Sequence, residues 1–248
     1  MSELFKNRIA GIEKMTLLDY EDHLSCILFY NGCNLRCPYC YNGDLACGKA
    51  KNMDGNEIIS FLINRVGKLD SVVFSGGECT IHGENLKNDI YFVKDLGYKV
   101  KVDTNGSNPE LLKDLIESNL VNYIALDYKN SNKTPLRYSD FKANPEYIKN
   151  FRTTLCDILM KQDKVPFEIR TTVHTDVIDE TNIQFILKDL QELNYKGNYY
   201  IQFFFPGPDT IANVNQHPRR FDVEKIKKYI KDNNITVNVL FRNEKFNV

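Results

Sequence analysis

An α/β fold built on a mostly parallel sheet is predicted from three features of the sequence. Short β-rich runs alternate with stretches of helical apolar spacing, and the intervals between them suit strand–helix–strand units. No stretch rich in Gly, Ser or Pro divides the 248 residues, a length within the range of one domain. The pattern therefore predicts a single domain covering residues 1–248, with about seven strands.

The runs follow one another in order. LSCILFY (24–30) is the first strand, and a cysteine-rich loop follows it. DGNEIISFLINRV (54–66) places Ile58, Ile59, Leu62, Ile63 and Val66 at helical spacing. SVVFS (71–75) is a strand, and ENLKNDIYFVKDLG (84–97) a helix closed by Gly97. YKVKVDTNG (98–106) alternates and stops at an Asn-Gly turn. A helix over 108–119 has Asn108 as its cap and Pro109 at its first position. VNYIALDYK (121–129), VPFEIRTTVHT (165–175), NYYIQFFFPG (198–207) and ITVNVLF (235–241) are further strands, with helices over 144–160, 179–193 and 222–233 between them. Periodicity alone leaves an open Rossmann-like sheet and a partial barrel equally possible. Both place their active sites in loops at the C-terminal ends of the strands.

Composition narrows the function classes. With 32 Lys and Arg against 33 Asp and Glu, the net charge of −1 gives no electrostatic reason to expect nucleic acid or a membrane as partner. A hydrophobic content of 42% with 15 Phe and 14 Tyr marks a folding chain, not a disordered one. The first twenty residues lack a signal-peptide core, and no apolar run is long enough to cross a bilayer. Seven cysteines without a secretion signal argue against a disulfide framework, so the protein is expected in a reducing, cytoplasmic setting.

Unusual residues gather at one rim of the predicted sheet. GCNLRCPYC follows the first predicted strand, SGGEC the second, DTNG the third and DYK the fourth, while Arg170 and His174 lie in the fifth. Cys33, Cys37 and Cys40 are the compact feature. Three thiolates can hold zinc or an iron–sulfur cluster, or can be unligated. For zinc, Cys47, Cys79 or His23 would have to supply the fourth ligand, which the spacing allows without requiring. A [4Fe–4S] cluster held by three cysteines would leave one iron open to a non-protein ligand.

CNLRCPYC, with Tyr39 just before the last cysteine, resembles the CxxxCxxC motif of the radical S-adenosylmethionine (SAM) superfamily. Gly76, Gly77 and Glu78 of SGGEC resemble the same family's GGE motif, with Cys79 where relatives commonly have Pro or a small residue. The resemblance implies a partial (βα)6 barrel of mostly parallel strands, with a core at about 22–206 and a C-terminal strand–helix extension over 207–248. It also implies a [4Fe–4S] cluster on Cys33, Cys37 and Cys40, and SAM chelating the fourth iron. Glu78 would then meet the methionine ammonium group.

A finer resemblance spans nearly the whole chain. GIEKMTLLDYEDHLSCILFYNGCNLRCPYCYN is similar to the N-terminal signature of activating enzymes for glycyl radical enzymes, closest to those of anaerobic ribonucleoside-triphosphate reductase. It implies that Asp103 and Asn105 lie near the nucleoside, that Asp127 and Lys129 flank the cofactor, and that Arg170 is a further cationic contact. The ordinary alternatives are an Asx turn for Asp103 and Asn105, and a pairing of Arg170 with Glu168 or Asp127. The implied reaction is reductive cleavage of SAM with an electron from flavodoxin or ferredoxin. The resulting 5′-deoxyadenosyl radical takes a glycine α-hydrogen from the partner protein. Such chemistry needs no acid–base pair, consistent with four scattered histidines. The resemblance weakens toward the C-terminus, where Gln202 and FFF (203–205) replace a histidine-bearing segment. NVNQHPRRF (213–221) reads either as a partner contact or as a solvated loop. The rivals are an activase of another glycyl radical enzyme, a radical SAM enzyme of a small molecule such as a 7-deazaguanine precursor, and a non-catalytic iron–sulfur or zinc protein.

Overall fold

A computed structural model describes residues 3–129, 145–207 and 209–247. Among them, eight strands form one sheet in the order β1-β2-β3-β4-β5-β6-β7-β8. They are β1 (Ile9–Thr16), β2 (Ser25–Tyr30), β3 (Ser71–Gly76), β4 (Lys99–Thr104), β5 (Tyr123–Asp127), β6 (Phe167–Val173), β7 (Asn198–Phe203) and β8 (Asn238–Arg242). β1 pairs antiparallel with β2, and every later pair is parallel. Strand order never reverses, so this is a singly wound, partial-barrel arrangement without the switch point of a Rossmann sheet. The buried residues of the connecting helices join the same core cluster as one face of the sheet.

The predicted helices form as α2 (Gly55–Arg65), α3 (Glu84–Asp95), α4 (Pro109–Glu117), α5 (Pro145–Met160), α6 (Glu180–Glu192) and α7 (Val223–Asp232). Residue 144, included in the predicted α5, lies outside the described residues. The Asn108 cap is the one expected from the sequence, and Asp54 caps α2 in the same way. Asp54 accepts from the Asn56 N–H, and Asn108 accepts from the Leu111 N–H ahead of Pro109. Beyond α3, Gly97 takes φ +88°, a conformation that costs glycine little.

Three features depart from the sequence reading. β1 was not predicted, because IAGIEKMT carries a glycine and only one fully buried side chain, Ile9; the strand exists through its pairing with β2, which is broken by two register irregularities. The four-residue α1 (Gly43–Ala46) is too short to show a period. The last strand was predicted from residue 235, but the Ile235 N–H still closes the end of α7 on Ile230, and pairing starts at Asn238.

The period of two sorts the sheet faces, and this positions the site. Cys26, Leu28 and Tyr30 of β2, Val72 and Phe74 of β3, Val100 and Val102 of β4 and Ile124 and Leu126 of β5 belong to the main buried core. The intervening residues point to the other face. There Ile27 and Val73 pack with Tyr20, Phe29 and Tyr123. Toward the C-terminal strand ends the same face turns polar, through Ser75, Asp103, Asp127, Arg170 and Thr172.

Candidate active site

One cleft at those strand ends is lined by the twelve residues assigned above to the cluster or the cofactor, whereas His174 lies outside it and hydrogen-bonds to the Asn215 carbonyl. They are Cys33, Cys37, Tyr39 and Cys40 from the loop after β2, Gly76, Gly77 and Glu78 after β3, Asp103 and Asn105 at β4, Asp127 and Lys129 at β5, and Arg170 of β6. Ser75, Thr104 and Thr172 also line it, together with Leu35, Tyr41, Asn42 and Ala46. Thr172 stands two residues beyond Arg170, so the strand period would have identified it. Ser75 precedes the glycine pair at the same spacing from Gly77. Thr172 had no motif to draw attention to it, and Ser75 was quoted only as the start of SGGEC.

The cysteine loop is anchored at both ends. The Gly32 and Cys33 N–H groups donate to the Leu45 and Ala46 carbonyls at 2.8 and 2.9 Å, tying the loop's start to α1. Within the loop, the Leu35 N–H donates to Cys33 Sγ at 3.3 Å and the Cys40 N–H to the Cys37 carbonyl at 3.0 Å. Burial pushes the Cys33 thiol up to about 11 and Cys37 to about 12, and the neighbouring sulfurs push in the same direction while Lys129 opposes them. The three sulfurs thus share one electrostatic environment.

The glycine pair serves contact between backbones. A Cβ on Gly76 would stand 2.2 Å from the Tyr30 nitrogen, and one on Gly77 would stand 2.1 Å from the Gly32 carbonyl oxygen. Only glycine lets the end of β3 lie this close to the start of the cysteine loop, where the Gly77 and Glu78 N–H groups donate to Tyr30 and Gly32. The Glu78 carboxylate is buried and accepts four hydrogen bonds: from the Thr80 N–H and hydroxyl, the Thr104 hydroxyl and the Asn105 N–H. Burial raises its pKa against the pull of those donors. Glu78 therefore joins the ends of β3 and β4. Asn105 continues the connection, since its side-chain amide donates to Asn34 Oδ1 at 2.9 Å and its Oδ1 accepts from the Ser107 N–H.

Charge is concentrated on the neighbouring strands. Arg170 and Asp127 are direct partners in the β5–β6 register, and Arg170 Nε donates to Asp127 Oδ1 at 2.5 Å. Its Nη2 lies 3.2 Å from Asp103 Oδ2, while Lys129 Nζ donates to the other Asp127 oxygen at 2.8 Å. Burial would raise the Asp127 pKa, but Arg170 and Lys129 outweigh it and hold the group at about 2. Burial alone would lower the Lys129 pKa; Asp127, the Cys37 thiol and Tyr39 raise it well above the usual value. Lys129 is thus a fixed cation beside the sulfurs.

The cleft also holds unmet hydrogen-bonding capacity. Among the described residues the Tyr39 hydroxyl and Asp103 Oδ1 are buried without a hydrogen-bond partner, although Lys101 Nζ stands 3.8 Å from the latter, and both residues line the cleft. Buried orphans of this kind fit a site that receives a polar ligand. Three soft thiolates at its edge suit a metal–sulfur group. Among the described residues, no three His, Cys, Asp or Glu side chains converge on one metal-ion position. A cubane spreads its ligands over separate irons and does not require that convergence. The zinc completions considered above are not assembled either. His23 precedes β2, at the opposite end of the strand from the cysteines, where it stacks on Tyr20. Cys79 is buried with its thiol donating to the Phe74 and Asp103 carbonyls, and Cys47 is exposed.

A family model described as the Radical SAM superfamily matches residues 27–158, which is 132 of the 248 residues. The chain belongs to the radical SAM superfamily. As a radical SAM enzyme it uses a [4Fe–4S] cluster and SAM. It is 33% identical over 81% of its length to a protein of Methanocaldococcus jannaschii named "Putative glycyl-radical enzyme activating enzyme", of which it covers 81%. It is also 35% identical to the 7-carboxy-7-deazaguanine synthase of Aquifex aeolicus, but over only 34% of this chain and 36% of that one. The fold matches the solved radical SAM structure described as native anSMEcpe with bound AdoMet, with a TM-score of 0.58 at 18% identity over 84% of this chain. This chain spans 61% of that one. Among the described residues no helix is long and apolar enough to cross a membrane.

Proposed function

We propose that this radical SAM enzyme is the activating enzyme of a glycyl radical protein, and that Cys33, Cys37 and Cys40 hold its cluster. The observation that carries the reading is the meeting of the cysteine loop, GGE, DTNG, DYK and Arg170 in one cleft of a chain with a near-full-length glycyl-radical-type relative. When bound, the cluster and SAM supply one-electron cleavage chemistry that ends in removal of a hydrogen atom from the substrate. The chain's own contribution is placement. Lys129 would present its ammonium group to the SAM carboxylate, while Asp127 and Arg170 hold that lysine and its surroundings in place. Tyr39, with Asp103 and Asn105, lines the nucleoside side. Gly76, Gly77 and Glu78 keep the strand ends close enough to form one wall.

Lys129→Ala is expected to retain the cluster and to weaken SAM binding. Removing one partner from a buried charged contact costs about 2–5 kcal/mol, so the dissociation constant should rise at least about thirty-fold. Titrating the reduced cluster with SAM and following its electron paramagnetic resonance signal measures this. An unchanged affinity would make Lys129 a purely structural partner of Asp127.

The proposed partner is anaerobic ribonucleoside-triphosphate reductase, supported by the likeness of TLLDY, YNGCNLRCPYCYN and VDTNG to its activases. The electron donor is reduced flavodoxin or ferredoxin. Mixed anaerobically with its organism's reductase, SAM and a reductant, the protein should produce the doublet of a glycine-centred radical. The doublet should vanish when the target glycine becomes Ala. A doublet on a different glycyl radical protein alone would keep the activity and replace the partner. The partial similarity to a 7-carboxy-7-deazaguanine synthase supports a second reading, a small-molecule substrate. SAM cleavage that yields no doublet on any glycyl radical protein of the organism favours that reading.

A further inference from the structure

The segment from Phe204 to Phe221, apart from residue 208, runs between the cysteine loop and the far edge of the sheet. On one side it is hydrogen-bonded to the second half of the cysteine loop. The Ile211 N–H donates to the Cys40 carbonyl and the Ala212 N–H to the Pro38 carbonyl, each at 3.1 Å. The Phe205 N–H donates to the Tyr41 hydroxyl at 2.6 Å, and Phe204 stacks on the Tyr41 ring with centroids 5.2 Å apart. These contacts bracket Tyr39 and Cys40, whereas the loop's start is tied to α1 instead.

The segment is in turn held by residues far from the cleft. Phe246 packs edge-on against Phe205, with ring centroids 4.5 Å apart. The Asn247 amide makes two hydrogen bonds with the backbone of Phe221, accepting from its N–H at 2.8 Å and donating to its carbonyl at 3.0 Å. Both ends of the segment are thus gripped by two consecutive residues that touch nothing in the cleft. Its C-terminal end is pinned again just before Phe221: the Thr175 hydroxyl donates to the Arg219 carbonyl, and Arg219 pairs with Glu180 through two hydrogen bonds.

We infer that Phe246 and Asn247 are positioning residues for the cysteine loop. Through the Phe204–Phe221 segment they hold the Pro38–Tyr41 stretch in place and limit access of water and oxygen to the group bound there. A backbone hydrogen bond in the middle of a loop removes a local opening motion, and loops opened by such motions are where solvent enters. The inference rests on the reading of Cys33, Cys37 and Cys40 as cluster ligands, and it concerns the chain's own contacts.

The test uses the full chain, reconstituted anaerobically, without SAM or partner protein. Phe246→Ala combined with Asn247→Ala releases both ends of the segment, and Ile211→Pro removes the donor to Cys40. Iron content, the rate at which the cluster absorbance bleaches in air, and the line shape of the reduced cluster are recorded beside the thermal unfolding midpoint. Both variants should load iron as the unaltered protein does. Each should bleach about five-fold faster or more, the factor one lost hydrogen bond gives to an opening equilibrium, with an altered line shape. Leu86→Ala, a core substitution on α3 away from the segment, should lower the unfolding midpoint without changing either cluster readout. Bleaching rates and line shapes equal to the unaltered protein's would overturn the inference. So would acceleration by Leu86→Ala to the same degree, since general loosening would then explain the effect. Failure of the cluster reading looks different: the unaltered protein itself would hold no iron.

Discussion

Replacing Cys33, Cys37 or Cys40 by Ala should remove the cluster and all SAM cleavage, while Ala at Cys26, Cys47, Cys79 or Cys156 should leave iron content close to the unaltered value. Anaerobically reconstituted protein should hold about four iron and four sulfide per chain. The contrast follows from position. Only the first three thiols line the cleft and influence one another electrostatically. Cys26 is buried among core side chains, with burial pushing its thiol up to about 12, a filler of apolar space. Cys79 faces two backbone carbonyls, Cys47 is exposed, and Cys156 sits on α5. A two-cysteine site cannot hold three irons of a cubane, so the loss should be complete in each single variant. Full iron retention by Cys37→Ala would exclude the assignment, as would loss of iron from Cys47→Ala.

Asp89→Ala should destabilise the fold by about 3–5 kcal/mol, the cost of leaving a buried ion-pair partner uncompensated, and lower the unfolding midpoint by on the order of 10 °C. Asp89 is fully buried on α3 and accepts from the Arg8 guanidinium at 2.7 and 2.8 Å, the Tyr30 hydroxyl at 2.8 Å and the Phe5 N–H at 2.8 Å. Its removal strands an almost fully buried arginine and two further donors. The consequence reaches the cleft, because the Arg8 carbonyl receives the Asn31 N–H and Tyr30 is the last residue of β2 before the cysteine loop. Denaturant unfolding of the apoprotein measures the stability term, free of cluster loss. A destabilisation under about 1 kcal/mol, typical of a solvent-exposed pair, would show that the Arg8–Asp89 pair is replaced easily by water.

Two kinds of information were legible in the sequence alone. Periodicity located α2 to α7 and seven of the eight strands, because each buries one face whose residues recur at a fixed interval. The spacing of Cys33, Cys37 and Cys40, with GGE and DYK at later strand ends, marked the rim where they meet, because these residues were close in sequence or stood at equivalent strand ends. The resemblance then carried the same residues to named roles. Glu168 and Asp127 were both legible as partners for Arg170, but only the β5–β6 register, which is not a local property, sets Arg170 beside Asp127.

Tertiary structure decided the rest. β1 exists because β2 offers it a pairing edge, an interaction to which its own apolar pattern contributes little. Glu78 was legible as a negative charge in a motif, but only the fold reveals that Thr80, Thr104 and Asn105 already occupy its oxygens. The glycine pair was legible as part of a motif, while its reason, contact with the backbone of Tyr30 and Gly32, spans more than forty residues of sequence. The grip of Phe246 and Asn247 on the segment over the cysteine loop had no local signature at all. Periodicity records what one element buries, whereas hydrogen bonds between distant loops are fixed only when the sheet brings their ends together.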